Sequence, residues 1–374
     1  MYMTDTERPE GTAWKDKPYL KYYAEWTPHS LEYTDDTMAK LLDRTVADHA
    51  TDDILDFFGQ TMTYAEFLKQ VNSIAAGLRE LGVRSGDCVA AAMPNCPQHL
   101  MTIFAAHKLG AVVAEHNPLY TARELEGPCK DHGAKVVVVW DKIAPLFQKL
   151  SRTTPIEKVV SVNMIEAMPL VKRLALKLPL KSLKEKREQL HGDAPGTIPF
   201  SQLQSPKFGG DGSDIQNDPA TNQNSPAFIL FTSGTTGKPK GAQLTHGNIM
   251  SNVVQGQSWI SGIGERGQER FLAALPLFHI YGLTLTAALA VSTGGKLLLL
   301  PKPEIPLIVD QLKREVPTYM PGVPTLYDKI LAAAEEHNLD LSGIANALSG
   351  AAPLPVHTTL EWEKKTGGKI VEGY

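Results

Sequence analysis

The chain has 374 residues, 43% of them apolar and 21% charged, with 37 Lys+Arg against 41 Asp+Glu and a net charge of -4. This ordinary globular composition suits two or three lobes. It excludes a disordered or fibrous chain and a nucleic-acid binder resting on basic excess. Cys88, Cys96 and Cys129 lack any C-x-x-C spacing, which argues against a disulfide framework and a cysteine-based zinc site and for a reducing cytosol.

Met1–Glu10 has no apolar h-region of a signal peptide, and no apolar stretch approaches the roughly 20 residues of a membrane helix. A soluble, cytoplasmic chain is therefore expected. From Thr63 to Leu81 apolar residues recur every three or four positions, predicting a helix with Thr63 and Glu66 as its capping box and Gly82 after its end. Cys88–Met93 has strand length, Pro97 opens a helix ending near Leu109-Gly110, and Ala111–Ala114 leads to a second capping-box spacing, Thr121 and Glu124. Lys135–Trp140 (KVVVVW) reads as a strand buried on both faces.

Gln204–Pro226, rich in Gly, Pro, Asn, Asp and Ser, reads as a connection between lobes. After it, Ala227–Phe231, Leu272–Leu275 and Lys296–Leu300 read as strands, and Glu304–Glu315 and Thr325–His337 as helices. Strands alternating with helices predict an α/β fold of two lobes with mostly parallel sheets. The expected division is a first lobe over 1–210, a linker over 211–226 and a second lobe over 227–374 carrying the phosphate loop. Val171–Leu190 holds seven Lys/Arg and two Glu, with leucines throughout and Pro179 breaking any single helix. It is either a solvated surface insertion or a contact with anionic lipid heads.

The segment most informative about chemistry is Phe231–Asn248, FTSGTTGKPKGAQLTHGN. Its glycines let backbone N–H groups approach an anion. The hydroxyls of Thr232, Ser233, Thr235 and Thr236 and the charges of Lys238 and Lys240 add donors for phosphate. A Walker loop is excluded, because Gly237-Lys238 is followed by Pro239 and Thr232 occupies the position of its first glycine. The literal dinucleotide fingerprint Gly262-x-Gly264-x-x-Gly267 follows no convincing strand and opens no long helix, so it reads as a surface turn.

TSGTTGKPKG resembles the phosphate-loop signature of the adenylate-forming enzymes: acyl-CoA synthetases, luciferases and peptide-synthetase adenylation domains. LPLFHIYGL (275–283) is similar to their acyl-pocket segment, SGAAPL (349–354) to their substrate-binding turn, and Glu372-Gly373-Tyr374 to the start of their adenine-contacting motif. Within the family the chain most resembles bacterial long-chain fatty-acid–CoA ligases. The resemblance implies a two-step reaction: a carboxylate attacks the α-phosphate of Mg-ATP to release pyrophosphate, and the thiol of coenzyme A then displaces AMP.

Residue by residue, the resemblance implies an ATP-binding loop of Thr232, Ser233, Gly234, Thr235, Thr236, Gly237, Lys238 and Lys240. His279 would be a catalytic pocket histidine beside the reacting carboxylate, and Tyr281 would line the acyl tunnel. Gly350 and Ala351 would let substrate pass close to the backbone. Glu372, Gly373 and Tyr374 would contact the adenylate, and Lys302 coenzyme A. ATP, Mg²⁺ and coenzyme A are the implied cofactors, with no metal ligand assigned. A long-chain fatty acid is the implied substrate, with peripheral contact to the inner membrane face through Val171–Leu190. A medium-chain or aromatic acid ligase, an acyl-AMP ligase and a non-catalytic nucleotide- or acyl-binding fragment are the alternatives. The motif breaks off at Tyr374, so the expectation is a truncated chain with little activity alone.

Overall fold

The computed structural model describes residues 17–232, 239–260, 262 and 269–373. Two seven-stranded sheets dominate the described residues. The first runs, in spatial order, β7 (Ile198–Pro199), β6 (Lys158–Val162), β5 (Val136–Trp140), β3 (Cys88–Ala92), β4 (Val112–Glu115), β8 (Pro226–Thr232) and β9 (Lys240–Thr245). The second runs β14 (Lys369–Glu372), β13 (Asn346–Ser349), β12 (Tyr319–Gly322), β10 (Arg270–Ala273), β11 (Lys296–Leu299), β1 (Asp53–Phe57) and β2 (Gln60–Thr63). Every pairing is parallel except the outermost hairpins, β8–β9 and β1–β2.

Runs of consecutive apolar residues form these strands because each strand is covered on both sides. In β5, Val136, Val138 and Trp140 enter the core shared by both sheets, whereas Val137 and Val139 face the outer layer with Phe147. In β11, Leu297 and Leu299 join the same shared core while Leu298 packs outward with Met320 and Trp362. The helices Tyr64–Glu80 and Pro97–Lys108 lie in the shared layer, and the second of these is buried along its whole length. Thr63 and Glu66 form the expected capping box, and the Glu124 carboxylate accepts from the Thr121 N–H.

The sheets do not follow the order of the chain. β8, which leads into the phosphate loop, completes the first lobe's sheet beside β4, whereas it was expected in the second lobe. In exchange β1 pairs with β11 and carries β2 into the second sheet. The physical reason is edge protection: each parallel sheet ends in an antiparallel hairpin supplied by the other half of the sequence. A cut within 211–226 therefore does not separate the two sheets. Just before that stretch a short helix, Pro206–Gly209, packs on the helix Tyr64–Glu80, where Gly209 lies too close to Ala76 for a side chain.

Val171–Leu190 folds as two helices, Leu170–Ala175 and Lys181–Leu190, on either side of the expected break at Pro179, and neither has a buried residue. Leu176 anchors the pair in the core. No helix among the described residues is long and apolar enough to cross a membrane. Gly262 sits in a turn after the helix His246–Trp259, and a strand rather than a helix follows at Arg270. Gly264 and Gly267 lie outside the described residues.

Candidate functional site

Ligands of open α/β sheets bind beyond the carboxyl ends of the strands, and six of the sequence-selected residues lie there in the second sheet. His279, six residues beyond β10, is exposed and caps the short helix Ile280–Gly282, its Nδ1 accepting from the Tyr281 N–H at 3.4 Å. With Nδ1 as acceptor, the neutral ring carries its proton on Nε2. Gly282 lets this turn fold back on Pro276, whose carbonyl oxygen would lie 2.2 Å from a Cβ at that position. A π-helical stretch, Leu283–Ala288, follows, a distortion that recurs at functional sites.

Tyr281 stands between strand ends. Its hydroxyl donates to the carbonyls of Gly322, at 3.3 Å, and Leu348, ending β12 and approaching the end of β13. Burial pushes its phenol well above the usual range, so it remains a donor. Its ring lies against Gly350, and a Cβ there would come within 2.9 Å of Cε1. Ala351 follows with φ of 70°, a left-handed conformation costing an alanine about 1–2 kcal/mol. Glu372 pairs in register with Ser349, its carboxylate accepting from the Leu354 N–H at 3.3 Å, and the Gly373 N–H donates to the Ser349 carbonyl at 2.8 Å.

The phosphate loop belongs to the other sheet. Thr232 ends β8 and stands opposite Lys240, which begins β9, so the loop closes an antiparallel hairpin, unlike a strand-to-helix phosphate loop. The Thr232 hydroxyl reaches the Lys240 carbonyl only loosely, at 3.5 Å, and both residues are exposed. Ser233, Gly234, Thr235, Thr236, Gly237, Lys238 and Tyr374 lie outside the described residues.

Sequence reasoning missed a residue that links the two sheets near their carboxyl ends. Asn95, just beyond β3 and 2% exposed, donates from Nδ2 to the carbonyls of Ala273 (2.9 Å) and Leu275 (2.8 Å) and accepts at Oδ1 from the Leu277 N–H (2.8 Å). It thus ties Ala273–Leu277, the segment that leads to His279, to the first sheet. The only sequence signal is an Asn between a strand and a helix-opening proline, which equally describes an ordinary turn.

Lys302 is not part of the Tyr281–Gly350 group. Its ammonium pairs with Glu304 at 3.0 Å, beside a groove of about 450 Å³ shared with Phe58, Met168, Leu183 and Leu307. A polar cavity of about 600 Å³, lined by Asn163, Arg173, Arg187 and His191, also lies against the basic insertion.

A family model described as "AMP-binding enzyme" matches residues 42–374. The chain is similar to the long-chain-fatty-acid–CoA ligase of Bacillus subtilis (strain 168), 32% identical over 359 residues, which are 96% of this chain and 63% of that protein. It is 31% identical over 342 residues to the enzyme of that name from Salmonella typhimurium, covering 90% of this chain and 60% of the relative. It thus spans about three-fifths of the length of these curated relatives. Among solved structures, the anthranilate CoA ligase AuaEII in complex with anthranoyl-AMP superposes with a TM-score of 0.75 at 22% identity, over 92% of this chain and 61% of that one, a likeness of fold.

Proposed function

The chain belongs to the AMP-binding enzyme family of adenylate-forming acid–CoA ligases, and from that premise we propose that the protein containing it activates a long-chain fatty acid with ATP and transfers the acyl group to coenzyme A. The observation that carries this reading is the convergence of Tyr281, Gly350, Ala351 and Glu372 at the strand ends of one sheet, joined through Asn95 to the sheet that bears the phosphate loop. The 30–32% identity to long-chain ligases over 90% or more of the chain favours the long-chain substrate.

In the first step a carboxylate oxygen attacks the α-phosphorus while the bond to the bridging oxygen breaks and pyrophosphate leaves. An anion must approach a polyanion, so the chain's contribution is positioned donors rather than covalent chemistry. Amides and hydroxyls of 232–238, with Lys238 and Lys240, hold the β- and γ-phosphates. His279 sits beside the carboxylate, Tyr281 and Gly350 shape the acyl path, and Glu372–Tyr374 receive the adenine. In the second step the sulfur of coenzyme A forms a bond to the acyl carbon and AMP leaves, with Lys302 as a coenzyme A contact. Magnesium prefers oxygen ligands, and the described residues offer no carboxylate cluster for it. It would enter with the triphosphate.

The exposed Leu170, Val171, Leu174, Leu178 and Leu180, interleaved with seven basic residues, fit a cytoplasmic protein that touches an anionic membrane face, where long-chain substrates partition. ATP-dependent pyrophosphate exchange, run with long-chain, medium-chain and aromatic acids, tests the reading. Exchange should be strongest with long chains and fall steeply in Thr235→Val/Thr236→Val. Preference for an aromatic acid would replace the substrate, and undiminished exchange in the double variant would overturn the loop assignment.

A further inference from the structure

Beneath the strand that opens the phosphate loop lies a buried cluster that the proposed reaction does not use. His116 directly follows the carboxyl end of β4, while Cys129 and His132 sit one turn apart on the helix Ala122–His132. One ligand atom from each lies within 4.8 Å of the others. His116 and Cys129 are 2% and 0% exposed, and the two Nε2 atoms are 3.0 Å apart. The His116 ring stacks on Phe231, with centroids 5.3 Å apart and planes at 17°, and Phe231 immediately precedes Thr232.

The Ala134 N–H donates to His132 Nδ1 at 2.9 Å, which puts the His132 proton on Nε2, where it is donated to His116 Nε2. His116 must then carry its own proton on Nδ1, which is buried and has no partner. Ligation through His116 Nε2 leaves that Nδ1–H as it is, so the case for a ligand rests on the three donors gathered within 4.8 Å of one another. We propose that His116, Cys129 and His132 form a three-ligand site for a zinc-class transition-metal ion, with water in the fourth position.

Two imidazoles and a thiolate are the borderline-soft donors such ions prefer, and magnesium or calcium would not choose them. Tetrahedral bonds of about 2.0–2.3 Å separate donors by about 3.3–3.6 Å, inside the range the cluster spans. The metal takes the place of the proton on the Cys129 sulfur, since only the thiolate is a ligand. On binding, one metal–sulfur and two metal–nitrogen bonds form, and the Cys129 proton leaves to solvent. His132 moves its proton from Nε2 to Nδ1 and gives up the Ala134 hydrogen bond. Binding thus releases one proton per ion and weakens as pH falls. The C-x-x-C search passes over this site because one ligand comes from a strand end thirteen residues before the helical pair.

The untagged 374-residue chain, stripped with a chelator and titrated with Co²⁺ and then Zn²⁺, provides the test. One cobalt per chain should bind with a thiolate-to-cobalt charge-transfer band and tetrahedral visible absorption, bleached by an equivalent of zinc. Zinc should also raise the melting temperature. Cys129→Ser should lose the band, and Cys88→Ser and Cys96→Ser should keep it. His116→Gln should lose the zinc-induced shift while melting cooperatively without metal, which shows that it folds. Absence of the band in the parent chain, or its survival in Cys129→Ser, would overturn the site.

Discussion

The ring of Tyr281 fills the space that a side chain on residue 350 would need, with Cε1 only 2.9 Å from where a Cβ would stand. Gly350→Val must therefore displace either the tyrosine or the turn. In the protein containing this chain, acid-dependent pyrophosphate exchange should fall at least about tenfold, equivalent to about 1.4 kcal/mol of lost transition-state stabilisation. Tyr281→Phe is gentler on folding, because Leu348 O also accepts from Tyr327 at 2.7 Å and Gly322 O from the Gly350 N–H at 3.0 Å. A cost of about 0.5–1.5 kcal/mol by urea denaturation is expected. Full exchange activity in Gly350→Val would remove the pair from the substrate path.

Asn95 is one joint between the two sheets, and its loss should be felt in stability first. Asn95→Ala leaves the Leu277 N–H and the Leu275 carbonyl without that partner, whereas Ala273 O still accepts from the Leu300 N–H at 3.2 Å. With two buried groups exposed to the desolvation penalty, the expected loss is about 2–4 kcal/mol in urea unfolding. Asn95→Asp keeps only the acceptor and adds a buried charge, so it should not rescue. Wild-type stability in either variant would contradict the joint.

Acid should weaken the fold well above the carboxylate range. His107 and His246 face each other with ring centroids 4.9 Å apart. Burial, reinforced by His246, holds His107 down to about 3, and burial holds His246 down to about 4, from an ordinary 6.5. Their neutral rings are used: the His107 Nε2–H donates to Ala227 O at 3.0 Å, and His246 Nδ1 accepts from the Met38 N–H at 3.2 Å. Between 6.5 and those lowered values the unfolded chain binds more protons than the folded one. Stability is thus fully present above 6.5 and is lost as pH falls, by about 1.4 kcal/mol per pH unit for each ring. Urea midpoints should fall steadily from pH 6.5 to 4, and a flat profile would refute the neutral pair.

The basic insertion can be altered without disturbing the core, since neither of its helices has a buried residue. Replacing Lys177, Lys181, Lys184 and Lys186 with Glu should abolish binding to anionic vesicles, given about 1 kcal/mol for each basic residue at such a surface. The urea midpoint should hardly move. Unchanged sedimentation with the vesicles would dismiss the membrane contact.

What could be read in advance follows from how locally each feature is encoded. KVVVVW and KLLLL admit little but strands covered on both sides, and Thr63 with Glu66 states its cap outright. The hairpin β1–β2 stayed hidden because its turn, Phe58-Gly59 with φ of 56° and 92°, lacks the usual Asn-Gly signal. A capping box at Thr245 went unseen because its third helical residue is Asn248 rather than Glu or Gln. The functional motifs were legible as strings, but Asn95 and the exchanged hairpins are long-range pairings that no local pattern announces. They depend on which strand finds an open sheet edge.

That exchange of hairpins makes the two halves mutual hostages. Residues 53–63 finish the sheet built from the later half of the chain, and residues 226–245 finish the sheet built from the earlier half. A ribosome that has emitted only the first two hundred residues has made one sheet with a bare flank and a hairpin with nowhere to dock. Neither unit can mature before the other, so a nick in the connecting stretch yields no freestanding half.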